Sequence, residues 1–138
     1  MKVTALLLSL IVLLTACSTL HTFQVPNTDL SKIRSFFVVH RLTDNNHLDD
    51  LIVNHLRSRG YEASAGHLTM MPQRTEAVVT YRDDWNWDFR TYLIQLDIEI
   101  HQAHTNRPIA RGTYRQPTLI TKSPAAVIEK IFNGLLPQ

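Results

Sequence analysis

The segment Asp83-Asp84-Trp85-Asn86-Trp87-Asp88 sets the chain's two tryptophans among three aspartates. Large amphipathic rings beside negative charge can grip a peptide, a glycan or a protein surface, and Trp is enriched at binding hot spots. The same spacing admits a second reading. Trp85 and Trp87 fall on one side of an extended stretch, where they can plug an end of the core while the aspartates cap a turn. Three neighbouring carboxylates could also hold Ca²⁺, which takes six to eight oxygen ligands. The alternating D-x-D-x-D-G order is missing, no Gly bends the segment and no Glu closes it, so a solvated acidic turn is expected. Asp83, Asp84, Trp85, Trp87 and Asp88 are the candidate partner-binding residues.

The chain has seven histidines, and the nearest pairs are His101 with His104 and His47 with His55. On a strand, residues three apart point to opposite faces; on a helix, residues eight apart are separated by about 12 Å along the axis. No metal site is expected from either pair. Ser64 lies in Glu62-Ala63-Ser64-Ala65-Gly66, which lacks the first Gly of G-x-S-x-G. There is no P-loop or dinucleotide fingerprint. No catalytic residue is assigned on these grounds, and the enzyme alternative is a small envelope hydrolase of peptidoglycan or glycan using Asp83, Asp84 or Asp88 as acid and base.

The remaining chemistry-bearing residue is Cys17, the only cysteine. Before it, Met1 and Lys2 give a short basic start and Val3 to Ala16 is apolar apart from Thr4, Ser9 and Thr15. That is the layout of a secretory signal peptide. The run ends after about 14 residues, whereas a membrane-spanning helix needs roughly 20, so a permanent transmembrane anchor is not expected. Leu14-Thr15-Ala16-Cys17 resembles the lipobox of bacterial lipoproteins: an apolar residue, two small ones, then the cysteine. The resemblance implies that Leu14, Thr15 and Ala16 are recognised by the lipoprotein signal peptidase and that the Cys17 thiol takes a diacylglyceryl group as a thioether. It implies a palmitate-type lipid on Cys17 as the only covalent group, with no cofactor. Two or three acyl chains hold a protein on a bilayer firmly. In the family rule, Asp after the lipidated cysteine favours the inner membrane; Ser18 stands there, so the rule points to the periplasmic face of the outer membrane.

Cleavage before Cys17 leaves a length that suits one domain, expected over residues 31–138. The precursor has 14 Lys plus Arg against 12 Asp plus Glu, and Lys2 is lost, so the mature part is near neutral. Its basic residues are scattered without an aromatic-basic patch, which argues against nucleic acid as a partner. A Cys/His zinc site and an internal disulfide are both excluded once Cys17 carries lipid. Residues 17–30 are polar, contain Pro26 and keep no period, so they are expected to be a tether of at most about 45 Å.

Positioning of the candidate residues falls to a few elements. Ile33 to His40 predicts a strand buried on both faces. Leu48, Leu51, Ile52 and Leu56 recur at helical steps, Asp44 or Asn45 can cap the start and Gly60 can take the left-handed C′ position, predicting a helix over 46–59. Tyr61 to Ala63 then predicts a short strand closing a right-handed crossover. A strand over 76–82 leads into the Trp-rich segment as a loop. Tyr92, Ile94, Leu96, Ile98 and Ile100 alternate with Leu93, Gln95, Asp97, Glu99 and His101, the period of a sheet with one wet face. A turn at Thr105-Asn106-Arg107 would lead into Ile109 to Gln116, setting Asp97 against Arg115 and His101 against Arg111. Ser123 as N-cap, Pro124 at the first position and an apolar stripe of Ile128, Ile131, Phe132 and Leu135 predict a final helix.

The sum is an α+β domain with a mostly antiparallel sheet of about five strands and two helices on one face. This order of elements resembles small periplasmic lipoprotein domains of unknown function, including those related to the curli-secretion lipoprotein and the amino-terminal domain of the Tol-system β-propeller protein. The expected function is a lipid-anchored binding or assembly module of the cell envelope. Its partners would be the membrane, through the lipid, and an envelope protein or glycan.

Overall fold

The computed structural model describes residues 17–117 and 121–137. Leu14, Thr15 and Ala16, on which the peptidase recognition rests, lie outside the described residues.

Among the described residues six strands form one mixed sheet in the order β1-β6-β5-β4-β2-β3. They span Thr19–Gln24 (β1), Ser35–Val39 (β2), Glu62–Gly66 (β3), Ala77–Trp87 (β4), Thr91–Gln102 (β5) and Pro108–Arg115 (β6). Among the described residues the α-helices are Leu48–Ser58 (α1) and Pro124–Leu135 (α2). The five-strand, mostly antiparallel expectation is therefore corrected on two points. β2 runs parallel to both β3 and β4, and a sixth strand, β1, occupies part of the segment expected to be a tether, paired antiparallel to β6. β1 escaped notice because all six of its residues are exposed, and an edge strand with no buried face carries no apolar alternation.

The β2-α1-β3 unit follows from its residues. Phe36 and Val38 face the helices and Phe37 faces the other side, all three buried, as befits a strand covered on both faces. α1 buries Leu48, Ile52, Val53 and Leu56 and stops where Gly60 adopts φ +87°, a left-handed conformation that costs a glycine nothing. At its start, His47 is itself left-handed at φ +55° and gives no side-chain cap. Asp44 does the capping from three residues upstream, accepting from the Leu48 N–H at 2.8 Å and the Asn46 N–H at 2.9 Å.

α2 begins as the sequence requires, with the Ser123 hydroxyl accepting from the Ala126 N–H. It buries Val127, Ile128, Ile131, Phe132 and Leu135 on the same face of the sheet as α1. Gly112 on β6 lets this helix come close: a Cβ there would stand 2.5 Å from Ile131 Cγ2.

Two local registers differ from expectation. A bulge between Asp84 and Trp85 pairs Asp84 with Gln95 but Trp85 with Leu93, so Ile94 has no opposite residue. The extra residue flips the strand: Leu93 joins the helix-covered core, while Tyr92 is buried on the other side. The β5-β6 connection spans residues 103–107, which sets Asp97 against Thr113, Glu99 against Arg111 and Gln95 against Arg115. The expected Asp97–Arg115 and His101–Arg111 pairs are therefore absent. Asp97 is buried instead beneath Arg82 and Thr113, whose side chains both donate to it.

Candidate functional site

The Trp-rich segment is not a loop. β4 continues through it to Trp87, which pairs with Thr91 across a tight hairpin turn with Phe89 at φ +59°. Regular alternation along β4 puts Asp83, Trp85 and Trp87 on the helix-covered side and Asp84 and Asn86 on the other. The gradient of burial along that side decides what each can do. Trp85 is half-buried and packs against the core; its indole N–H donates to Asp83 Oδ2 at 2.6 Å. Asp83 also pairs through Oδ1 with the Arg41 guanidinium. Trp87 is 72% exposed and Phe89 is 95% exposed. Asp84 is exposed, as is Asp88.

The five sequence-predicted residues thus divide. Asp83 and Trp85 form a joint between the hairpin and Arg41 after β2, with both carboxylate oxygens engaged. Trp87, with Phe89 beside it, forms an exposed aromatic tip. Phe89 was missed because a single Phe between Asp88 and Arg90 gives no periodic signal. We predict that Trp85→Ala lowers unfolding free energy by about 2 kcal/mol, short of the cost of truncating a fully buried Trp, while Trp87→Ala changes it by no more than about 0.5 kcal/mol. Urea denaturation checks the pair; equal losses would contradict the division.

Cys17 stands at the same end of the sheet as this tip. It is exposed, two residues before β1, whose Thr19 pairs with Arg115. With Ile94, Arg115, Gln116 and Pro117 it lines one shallow depression. The Gln116 N–H donates to the Ile94 carbonyl at 2.9 Å, which fixes that level on β5. From Ile94 the hairpin runs on to Phe89, roughly 15 Å further at about 3.3 Å per residue. Among the described residues no helix is long and apolar enough to cross a membrane.

A second polar cluster lies where β2 and β3 end and α1 begins. His40 follows β2 and His67 follows β3. The His40 N–H donates to the Gly66 carbonyl at 2.8 Å, continuing the parallel register past Val39 and Gly66. Their rings meet edge to face, with centroids 5.8 Å apart. His40 Nδ1 lies 2.7 Å from Asp49 Oδ2, and Asp49 is buried. Deeper in, Asp44 accepts a 2.7 Å bond from the Tyr81 hydroxyl. Burial opposes ionisation of Asp44, but Tyr81 and the amides of Asn46, Leu48 and Asp49 outweigh it and hold the carboxyl below its ordinary range. Burial, together with the Asp44 acceptor, pushes the Tyr81 phenol up. Sequence spacing concealed this cluster because its members come from two strand ends and a helix start, the crevice where α/β sheets commonly hold ligands.

No protein-family model and no curated protein sequence matches the chain. Solved structures do match in fold. A PelC dodecamer from Paraburkholderia phytofirmans, in a variant carrying one leucine-to-methionine substitution, superposes with a TM-score of 0.62 at 15% identity, covering 88% of this chain and 100% of that one. A second crystal form of the PelC dodecamer from the same organism gives 0.64 at 14% identity, covering 86% and 99%. A minor lipoprotein from Acinetobacter baumannii aligns at 0.38 with 12% identity, over 75% of this chain and 89% of that one, a score that carries no argument. The likeness to PelC is one of fold.

Proposed function

We propose that this chain is a lipid-anchored module of the cell envelope, acylated at Cys17, that sits against the periplasmic face of the outer membrane and acts by binding or assembly. The observation that carries the reading is the shared end: the residue with the lipobox spacing and the aromatic hairpin tip lie at one end of the same sheet. A lipid on Cys17 would hold β1 close to the headgroups, since only Ser18 separates the cysteine from the strand. Trp87 and Phe89 would then meet the interfacial layer, where aromatic rings are favoured. The expected glycan or protein partner would meet the rest of the surface. Assembly is supported by the fold likeness to proteins that form dodecamers and by two open sheet edges, β1 and β3, since a closed ring needs two different complementary surfaces on each copy. Both oxygens of Asp83 are taken by Arg41 and Trp85, which leaves the hydrolase alternative to the exposed Asp84 and Asp88.

Membrane contact by the tip is tested with the unacylated Cys17→Ser chain and vesicles of phosphatidylethanolamine and phosphatidylglycerol. Burying a large apolar side chain contributes about 1.5–3 kcal/mol, so Trp87→Ala with Phe89→Ala is expected to lower partitioning at least about tenfold. Equal partitioning of the two chains would remove the membrane role and leave the tip to a macromolecular partner.

A further inference from the structure

We propose that His40 and His67 form a binding site for a divalent transition-metal cation of the Zn²⁺ or Cu²⁺ type, with Asp49 as the positioning residue. The site is independent of the membrane-facing end and of any lipid on Cys17.

The ring arrangement carries the inference. A carboxylate only accepts, so in the 2.7 Å contact the Nδ1–H of His40 donates to Asp49 Oδ2, and the neutral imidazole keeps its Nε2 lone pair for a ligand. This carboxylate–histidine arrangement is the one that orients metal-bound imidazoles, fixing the tautomer and raising ligand basicity. Asp49 is itself held, since its Oδ1 accepts from the Asp50 N–H at 2.9 Å. His67 occupies the next register position on the adjacent parallel strand, so both rings rise from the same face of the sheet. Two imidazoles sharing one ion at about 2.0–2.1 Å have centroids roughly 5–6 Å apart over bond angles from tetrahedral to wider. The observed 5.8 Å falls within that range; the rings now meet edge to face, so binding would turn the exposed His67 ring to aim its nitrogen at the ion shared with His40.

The surroundings suit a cation. Asp49 and Asp50 open α1, offsetting the positive potential of the helix N-terminus. The neighbouring guanidinium, Arg41, is neutralised by Asp83. Imidazole donors select Zn²⁺, Cu²⁺ and their neighbours over Mg²⁺ and Ca²⁺. With two protein ligands, the remaining coordination positions are open to water or to a donor from a bound partner. A competing locus lies alongside, because ligand atoms of His47, Asp49 and Asp50 approach within 4.8 Å of one another. His47 is the group that separates the two loci.

The test is calorimetric titration of the full-length protein in detergent with Zn²⁺, paired with Cu²⁺ electron paramagnetic resonance. One ion per chain is expected, with a spectrum showing two imidazole nitrogens. His40→Ala and His67→Ala should each weaken binding at least about tenfold, Asp49→Asn by about 10–100-fold, and His47→Asn by less than about twofold. His67→Ala lies at an exposed position, so it tests the site without disturbing the fold. Binding that survives His67→Ala, binding lost in His47→Asn, or failure of the wild type to bind at all would each overturn the proposal.

Discussion

Cys17→Ala is expected to abolish incorporation of a tagged fatty acid completely, because the chain has no other thiol to form the thioether. The variant should also accumulate as an uncleaved or soluble product while keeping its melting temperature. The second outcome follows from position, since Cys17 is exposed and precedes the first strand. Metabolic labelling with fractionation reads the first effect and thermal unfolding of the purified chain the second. Label retained on the variant would remove the lipoprotein reading and the localisation with it.

Asp44→Ala is expected to be the most damaging single substitution away from the apolar core, costing about 3–5 kcal/mol. The side chain ties the start of α1 to the centre of β4: it serves the Leu48 and Asn46 amides on one side and the Tyr81 hydroxyl on the other. Removing a buried acceptor strands each donor, and each orphan costs about 1–3 kcal/mol. Asp44→Asn keeps one oxygen and should lose less. The same residue predicts the acid limb of stability. A carboxyl whose folded-state pKa is lowered contributes stability that is present above its unfolded value near 3.9 and is lost as pH falls through the folded value. Asp97 behaves alike: burial opposes ionisation, but donation from Thr113, Arg82 and Gln95 holds its carboxyl down. Urea titrations should therefore agree between pH 7 and pH 5 as far as these two groups are concerned, then weaken below about pH 4. Asp44→Asn should flatten that decline. An acid limb of unchanged steepness in Asp44→Asn would contradict the assignment.

Much of the helix-covered core was legible in the sequence because it depends on period. Ile128, Ile131, Phe132 and Leu135 lie on the buried stripe of α2, and Leu96, Ile98 and Ile100 on the inward face of β5, where the alternation places them. Period misled where the strand departs from it. Ile94 continues the apolar alternation in the sequence, yet the bulge at that point brings Leu93 inward, and no residue type in Leu93-Ile94-Gln95 announces an extra residue. The Asp44 cap was visible as one of two candidates for the start of α1. Its bond to Tyr81 was not, because that contact depends on how α1 packs over β4. The Trp-rich segment was legible as unusual, but its division into joint and tip depends on Arg41, which reaches Asp83 from just beyond the end of β2. His40 and His67 gave no signal, since the crossover helix that brings them together also separates them in sequence.

The pairing of β1 with β6 has a kinetic consequence. The first strand of the sheet finds its partner only in the last, with the whole β2–β5 body between them, so this closure carries the largest loop entropy of any pairing in the fold. Local units such as the β4-β5 hairpin can form early, whereas a contact of such long range comes late and slows folding. A chain delivered amino terminus first would therefore hold its leading strand unpaired until β6 had emerged, leaving Cys17 beside it accessible for nearly the whole of delivery.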